Sequence, residues 1–438
     1  MNIYERRRAA VAQAIGNGVA IISAARHATR NADAEYEYRQ DSDFYYLTGF
    51  TEPEAVLVIA PARAQRDVLF LRPRDRAQEI WTGRRLGVES APAELGIHAA
   101  FEIDKLDEQL PELLVGSPVL YYAVGNDEAF DRHVHTALRA ARFRVRRGGT
   151  APSSFVEPAT VIHEMRVRKQ PEELELIRRA AAITHVGHEA GMRATRPGMW
   201  EYAVEATIEF AYRRQGAQDV AYSSIVAGGD NALILHYNSN RAQLRDGDLV
   251  LVDSGAEFDL YACDVTRTWP VNAKFTPEQR AIYEIVLAAQ RAGIEQVRPD
   301  RSFNAYHEAA VRVLATGLIE LGLLHGSVDE VISTEKLAAF YPHRTGHWLG
   351  LDVHDAGRYK NADETYRNLE PGMIVTVEPG IYVQRDLDCD ERFKGIGVRI
   401  EDDIACTAGE PENLTAAIPK EISEIEALVG SADLVATR

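Results

Sequence analysis

Asp253, Asp264, His347, Glu378 and Glu401 are the residues whose types, spacing and surroundings could do chemistry. Two acids lie eleven residues apart in LVLVDSGAEFDLYACDVTRT, the histidine sits in HRTGHWLGLDVHD, and the glutamates follow in TVEPGIY and GVRIEDD. Asp253 ends the apolar run 249–252, Glu378 ends 373–377, and Glu401 follows Val398, Arg399 and Ile400; all three runs read as buried strands. A carboxylate at the end of such a run must meet a cation or several hydrogen bonds, because desolvating it unpaired is strongly unfavourable. One such acid reads equally well as an arginine's partner or a turn cap. Four acids and a histidine in the same context read as a metal site. An oxygen-rich set with one imidazole suits Mn²⁺, Co²⁺ or Zn²⁺ better than copper. Five side chains serve two ions only by sharing carboxylates, and two ions about 3.5 Å apart hold a hydroxide and polarise a carbonyl. That is hydrolytic chemistry.

His343 and His347, four residues apart, could share a helix face as in zinc peptidases of the H-E-x-x-H type. Position 344 is arginine rather than the general-base glutamate, and glycines crowd the segment, so that reading fails. Cys263, beside Asp264, reads as a small buried residue rather than a soft ligand.

The elements that must position these groups fall into two parts, 1–168 and 169–438. In the first, runs 55–60, 67–70 and 119–124 read as strands and 107–114 and 131–139 as helices, the pattern of a small α/β domain. Gly16, Asn17 and Gly18 read as a turn between a first helix and a strand at 19–23. Pro171 opens a helix whose apolar face is Leu174, Ile177, Ala181 and Thr184. Thr276, Pro277 and Gln279 form a capping box for a helix to about residue 295, and Ser302 is expected to open another. The acid pairs 253/264 and 378/401, about 125 residues apart, look like two halves of an internal repeat with the metal centre at their junction. The last ten residues are expected to form a loose tail.

With 438 residues and 48.7 kDa the chain has room for two domains, and 46% hydrophobic with 26% charged residues describes a globular protein. A net charge of −17 argues against nucleic acid or an anionic membrane as partner. Three cysteines without a C-x-x-C pair fit a reducing compartment. Arg6 to Arg8 and the alanines after them faintly resemble a signal peptide, but Gln13 and Asn17 interrupt the apolar stretch, and no run approaches the ~20 apolar residues of a membrane span. A cytoplasmic protein is expected.

The segments VDSGAEFDLYACDVTRTWPV, HRTGHWLGLDVHD, LEPGMIVTVEPGIYV and GIGVRIEDD resemble the metallopeptidase family with the creatinase or pita-bread fold, shared by methionine aminopeptidase, prolidase and aminopeptidase P. RNADAEYEYRQDSDFYYLTGFTEPEAVLVI resembles the N-terminal domain of bacterial aminopeptidase P and of some prolidases, which methionine aminopeptidases lack. The resemblance implies an N-terminal creatinase-like α/β domain and a catalytic pita-bread domain with an internal pseudo-repeat. It implies that Asp253 chelates one metal, that Asp264 and Glu401 bridge both, and that His347 and Glu378 complete the other, Glu378 also taking the proton of a bridging water. The resulting hydroxide would attack the first carbonyl of an Xaa-Pro peptide. His236 and His354 would line the substrate pocket and His343 would lie close to the metals. Arg399 would either orient substrate or balance the acids. Trp81 and Asp33 match positions of the N-terminal domain that approach a neighbouring active site in family assemblies, which implies a homotetramer or homodimer; ordinary core packing is the alternative for Trp81. The segment DAGRYKNADETYRNLEPG is about two residues longer than the common bacterial pattern, which leaves open whether Arg358 or Arg367 meets substrate.

The expected function is a metal-dependent exopeptidase, two Mn²⁺ being the expected ions, that releases the N-terminal residue from peptides with proline second. A prolidase restricted to Xaa-Pro dipeptides would share every ligand. A metal-free binding protein is the remote alternative, and such relatives have lost ligand residues that this chain retains.

Overall fold

The computed structural model describes residues 1–432. The chain divides into two compact units at 165/166, where the sequence reading places 168/169. Of the last ten residues, 433–438 lie outside the described residues; the preceding stretch is no loose tail, since the Gly430 and Ala432 amides donate to the Met192 and Arg193 carbonyls at 3.1 and 3.0 Å.

In the first unit a six-stranded mixed sheet runs Ala99–Glu102, Asp67–Leu71, Val56–Ile59, Val19–Ser23, Val119–Tyr121, Ser154–Val156. Its core strands are apolar on both faces, and the helices Leu106–Leu114 and Glu128–Arg144 pack Leu110, Leu114, Val134 and Leu138 against them. The strand expected to reach residue 124 stops at Tyr121, where the chain turns away.

In the second unit the helix Pro171–Ala194 starts with proline in its first turn and with the Gln170/Glu173 capping box, and it buries Ile177, Ala181 and Thr184. The helix Pro277–Ile294 starts with the Thr276/Gln279 box. Ser302 does not open a helix. Its hydroxyl accepts the Asn304 amide at 3.2 Å in a turn, and the helix Ala305–Glu320 begins after it.

Two small antiparallel assemblies carry the acids. Leu249–Asp253 lies between Ile225–Gly228 and Thr266–Pro270, with Asp253 opposite Thr266. Ile374–Val377 pairs with Asp402–Ala405, with Val377 opposite Asp402. In each, one acid ends a strand or follows it by one residue and the other precedes the partner strand by one or two, so the two acid pairs repeat one design. Gly380–Tyr382 and Gly397–Arg399 pair beside the second assembly. No helix is long and apolar enough to cross a membrane among the described residues.

Candidate metal centre and substrate pocket

Asp253 enters the site as the last residue of its strand, and its two oxygens are already claimed: Arg399 Nη2 donates to Oδ2 at 2.5 Å and the Tyr222 hydroxyl lies 2.6 Å from Oδ1. The same hydroxyl is 2.6 Å from Asp264 Oδ1. Arg399 spans further, from Nε to Thr266 Oγ1 at 2.9 Å and from Nη1 to the Tyr382 hydroxyl at 3.0 Å, while Thr266 donates to Glu401 Oε2 at 2.7 Å. Arg399 thus sits among the carboxylates with its charge committed to Asp253, and it also lines the cavity.

His347 is aimed by close packing. A Cβ at Gly346 would lie 1.9 Å from the Thr376 carbonyl, so only glycine lets this loop approach the strand Ile374–Val377, where the Thr376 amide donates to the His347 carbonyl at 3.0 Å. His347 Nδ1–H donates to the Trp348 carbonyl at 2.9 Å. Its Nε2 therefore faces Asp264 Oδ2 at 3.4 Å and Glu378 Oε1 at 3.9 Å. A neutral imidazole held this way turns a lone pair toward two carboxylates, an arrangement that calls for a proton or a cation between them. Burial pushes the His347 pKa down, but the hydrogen bond to Asp264 and the charges of Asp264 and Glu378 outweigh it and raise it to about 9.

Donor atoms of Asp264, His347 and Glu401 all lie within 4.8 Å of one another. Burial, then the charges of Asp264, Glu378 and Asp253, raises the Glu401 pKa well above the carboxylate range. Burial likewise raises Glu378 to about 7, against His347 and Arg399. Burial raises Asp253 against the pull of Arg399. Carboxylates that raise one another's proton affinity in a desolvated site also favour a divalent ion, and the oxygen-rich donor set with one oriented imidazole fits such an ion.

His343 is engaged at both ring nitrogens. Nδ1–H donates to the Arg344 carbonyl at 2.8 Å, which leaves Nε2 to accept from the Tyr382 hydroxyl at 2.9 Å. Arg399, Tyr382 and His343 therefore form a chain in which each donates to the next. Burial and Arg399 lower the His343 pKa to about 3. The His354 ring lies edge-on to His347 at 4.3 Å, and burial, then His347, lowers its pKa. His236, His343, His347, His354 and Arg399 line one cavity of about 1040 Å³ together with Asp253, Asp264, Glu378 and Glu401. Cys263 is a free, buried thiol beside Asp403 and lies outside the donor cluster. Trp81 does not line this cavity. It lies in the last turn of the helix Arg76–Thr82 in the first unit with 84% of its surface exposed, so it is not core packing there.

Sequence reasoning missed several supporting residues. Tyr222 bridges the two aspartates from a loop 31 and 42 residues away. Glu201, fully buried, accepts from the Gly228 amide, Asn231 Nδ2, the Tyr237 hydroxyl and the Ala242 amide at 2.7–2.9 Å, which pins the segment that carries His236. Thr266 and Tyr382 lie two and four residues from predicted ligands, and that proximity was the available signal.

Residues 175–408 match the model of metallopeptidase family M24, and residues 4–121 match the aminopeptidase P N-terminal domain. The chain is 46% identical over 432 residues to the Xaa-Pro aminopeptidase of Escherichia coli strain K12, covering 98% of each. It superposes on aminopeptidase PepP of Pseudomonas aeruginosa with a TM-score of 0.95 at 48% identity, and on zinc-substituted E. coli aminopeptidase P in complex with product with 0.93 at 46%, each covering 97% of both chains. With both units matched and the acid–histidine cluster assembled in one cavity, the chain belongs to metallopeptidase family M24, as an aminopeptidase P with the pita-bread catalytic fold.

Proposed function

We infer that this protein is a metal-dependent Xaa-Pro aminopeptidase that releases the N-terminal residue from peptides with proline second. The observation that carries the reading is the Asp264–His347–Glu401 donor cluster, with Asp253 and Glu378 in the same cavity, in a chain similar over its whole length to Xaa-Pro aminopeptidases. That similarity decides against the dipeptide-restricted alternative, and the retained ligands decide against the metal-free one.

Asp253, Asp264, His347, Glu378 and Glu401 would hold two divalent ions, with Asp264 and Glu401 shared and Mn²⁺ the ion best suited to four carboxylates and one imidazole. When bound, such ions supply Lewis acidity toward a carbonyl and lower the pKa of water to near neutrality. The chain's own groups do the rest. Glu378 would take a proton from the attacking water and return it to the leaving proline nitrogen. His236 and His354 face the substrate and orient its carbonyl, and Arg399 holds Asp253 in place. His343 keeps the Tyr382 proton pointed into its own ring, beside Glu378 at 3.7 Å. Proline suits this wall because its nitrogen has no hydrogen that would need an acceptor.

The domains 1–168 and 169–438, a homotetramer or homodimer that covers the exposed Trp81 and Asp33, and a cytoplasmic setting with three reduced cysteines complete the reading. The test is hydrolysis of Gly-Pro, Gly-Pro-Ala and a longer Xaa-Pro peptide by enzyme stripped and reloaded with Mn²⁺. Cleavage of the longer peptides at the Xaa-Pro bond supports it, and cleavage of the dipeptide alone overturns it.

A further inference from the structure

Arg358 and Arg367 lie in the segment whose length departs from the family pattern, and the structure separates them. Arg367 does not line the cavity; its Nη1 donates to the Arg358 carbonyl at 3.4 Å and its Nη2 lies 3.6 Å from Glu370. Arg358 lines the cavity, and its guanidinium has no hydrogen-bond or ion-pair partner among the described residues. The neighbouring cations in the wall are committed. Arg344 donates to Asn304 and lies 5.4 Å over the Tyr366 ring, while Lys360 pairs with Glu364 at 3.3 Å.

The backbone that presents Arg358 is anchored on both sides. Asp355 receives Lys169 at 2.8 Å and Arg166 at 2.6 Å, and its amide donates to the Trp348 carbonyl at 2.9 Å. Tyr359 stacks on Trp348 with centroids 5.6 Å apart, and the Arg367 amide donates to its carbonyl at 3.0 Å. Gly357, at φ +135°, passes where a Cβ would stand 2.0 Å from Val167 Cγ2, so the path is one that glycine alone takes. An exposed, unpartnered arginine carried on an anchored stretch of backbone in the wall of a ligand cavity is placed to receive an anion.

The lining carries the acids of the proposed metal centre and, besides Arg399, the cations Arg344, Arg358 and Lys360. A bound peptide has a matching polarity, with a cationic amino end and an anionic carboxyl end. At about 1040 Å³ the cavity stands at the top of the range for ligand sites. We propose that Arg358 binds a carboxylate on the residue that follows proline, either its C-terminal carboxylate or an acidic side chain. It is then the specificity-determining residue for short or acid-bearing Xaa-Pro-Xaa peptides. This rests on the aminopeptidase reading above.

The test compares kcat/KM of the Mn²⁺-loaded full chain and of Arg358→Ala, Arg358→Lys and Arg358→Glu on four peptides: Gly-Pro-Ala, its C-terminal amide, Gly-Pro-Glu-amide and Gly-Pro-Gln-amide. Arg358→Ala should lower kcat/KM about three- to fivefold, the size of one solvent-accessible ion pair, on the peptides with a carboxylate and leave their neutral counterparts unchanged. Arg358→Lys should recover part of the loss, and Arg358→Glu should reverse the preference. A loss on Gly-Pro-Ala but not on Gly-Pro-Glu-amide assigns the C-terminal carboxylate, and the opposite assigns the side chain. Equal effects on charged and neutral peptides overturn the proposal while the aminopeptidase reading stands. Failure of the unaltered enzyme to cleave any tripeptide overturns both.

Discussion

Glu401 and Asp402 are neighbours in the chain and both are buried, at 2% and 0% exposure, yet they sit in opposite electrostatic fields. Asp402 points away from the cavity into a shell of donors: Arg267 Nη2 at 2.7 Å, Gln290 Nε2 at 2.7 Å, Asn413 Nδ2 at 2.9 Å, the Thr415 hydroxyl at 2.8 Å and Lys420. Although burial opposes it, Arg267 and Lys420 hold its pKa far below the carboxylate range. Glu401 points the other way, toward Asp264, Glu378 and Asp253, and its pKa is raised. Two consecutive residues at the start of the strand Asp402–Ala405 thus face opposite ways, one acid with its charge satisfied by the protein and the other set among like charges. A buried charge with its partners in place is a structural element, and a buried charge among like charges is a binding site.

The sharpest way to break this contrast is Glu378→Ala. The variant should fold with unchanged circular dichroism and lose about 10²–10⁴-fold in kcat, the loss of a general acid–base group; near-normal turnover would remove Glu378 from its proposed role. On the satisfied side, Arg267→Ala leaves Asp402 with a reduced shell and should cost about 3–5 kcal/mol in urea denaturation. A cost under 1 kcal/mol would mean that the other donors suffice.

Metal should act on one side only. Free Mn²⁺ at 100 times its dissociation constant should stabilise the protein by about 2.7 kcal/mol and a chelator should reverse this. Glu401→Gln should abolish that increment, whereas Asp402→Asn should lower the stripped and loaded forms alike; the reverse pattern would invert the assignment of the two acids.

Acid adds a smaller effect from a third buried group. Burial lowers the His188 pKa to about 3, and its Nε2–H donates to the Ser254 carbonyl at 2.8 Å. The unfolded imidazole takes a proton near pH 6.5 and the folded one does not, so stability is full above that value and falls as pH drops. Between pH 8 and 5 the loss should approach about 2 kcal/mol at 1.36 kcal/mol per unit below the unfolded pKa. His188→Gln should flatten this part of the stability profile; an unchanged slope would assign it to other groups.

The five positions that meet in one cavity were legible because each puts a charged or polar group where local sequence is apolar or glycine-rich, a conflict visible within a few residues. Strands and helix starts were legible where the signal is local, as with Pro171 and the Thr276/Gln279 box. Ser302 misled because a serine turn and a serine cap share the same local pattern, and only tertiary packing separates them. Tyr222, Glu201 and the Arg267–Asp402 pair were not legible, since partners up to 135 residues apart meet only in the fold. Trp81 is a different case: a lone aromatic reads equally as core or as surface, and its exposure is a property of the folded unit.

The Tyr222 hydroxyl has one proton and two claimants, Asp253 and Asp264, each 2.6 Å away. The phenol ring is thus wired to the site's charge, and ring absorption responds to charge at its oxygen. The site carries its own chromophore: titrating ions into the stripped protein should shift the near-ultraviolet spectrum, and Tyr222→Phe should erase that shift, giving a dye-free readout of occupancy.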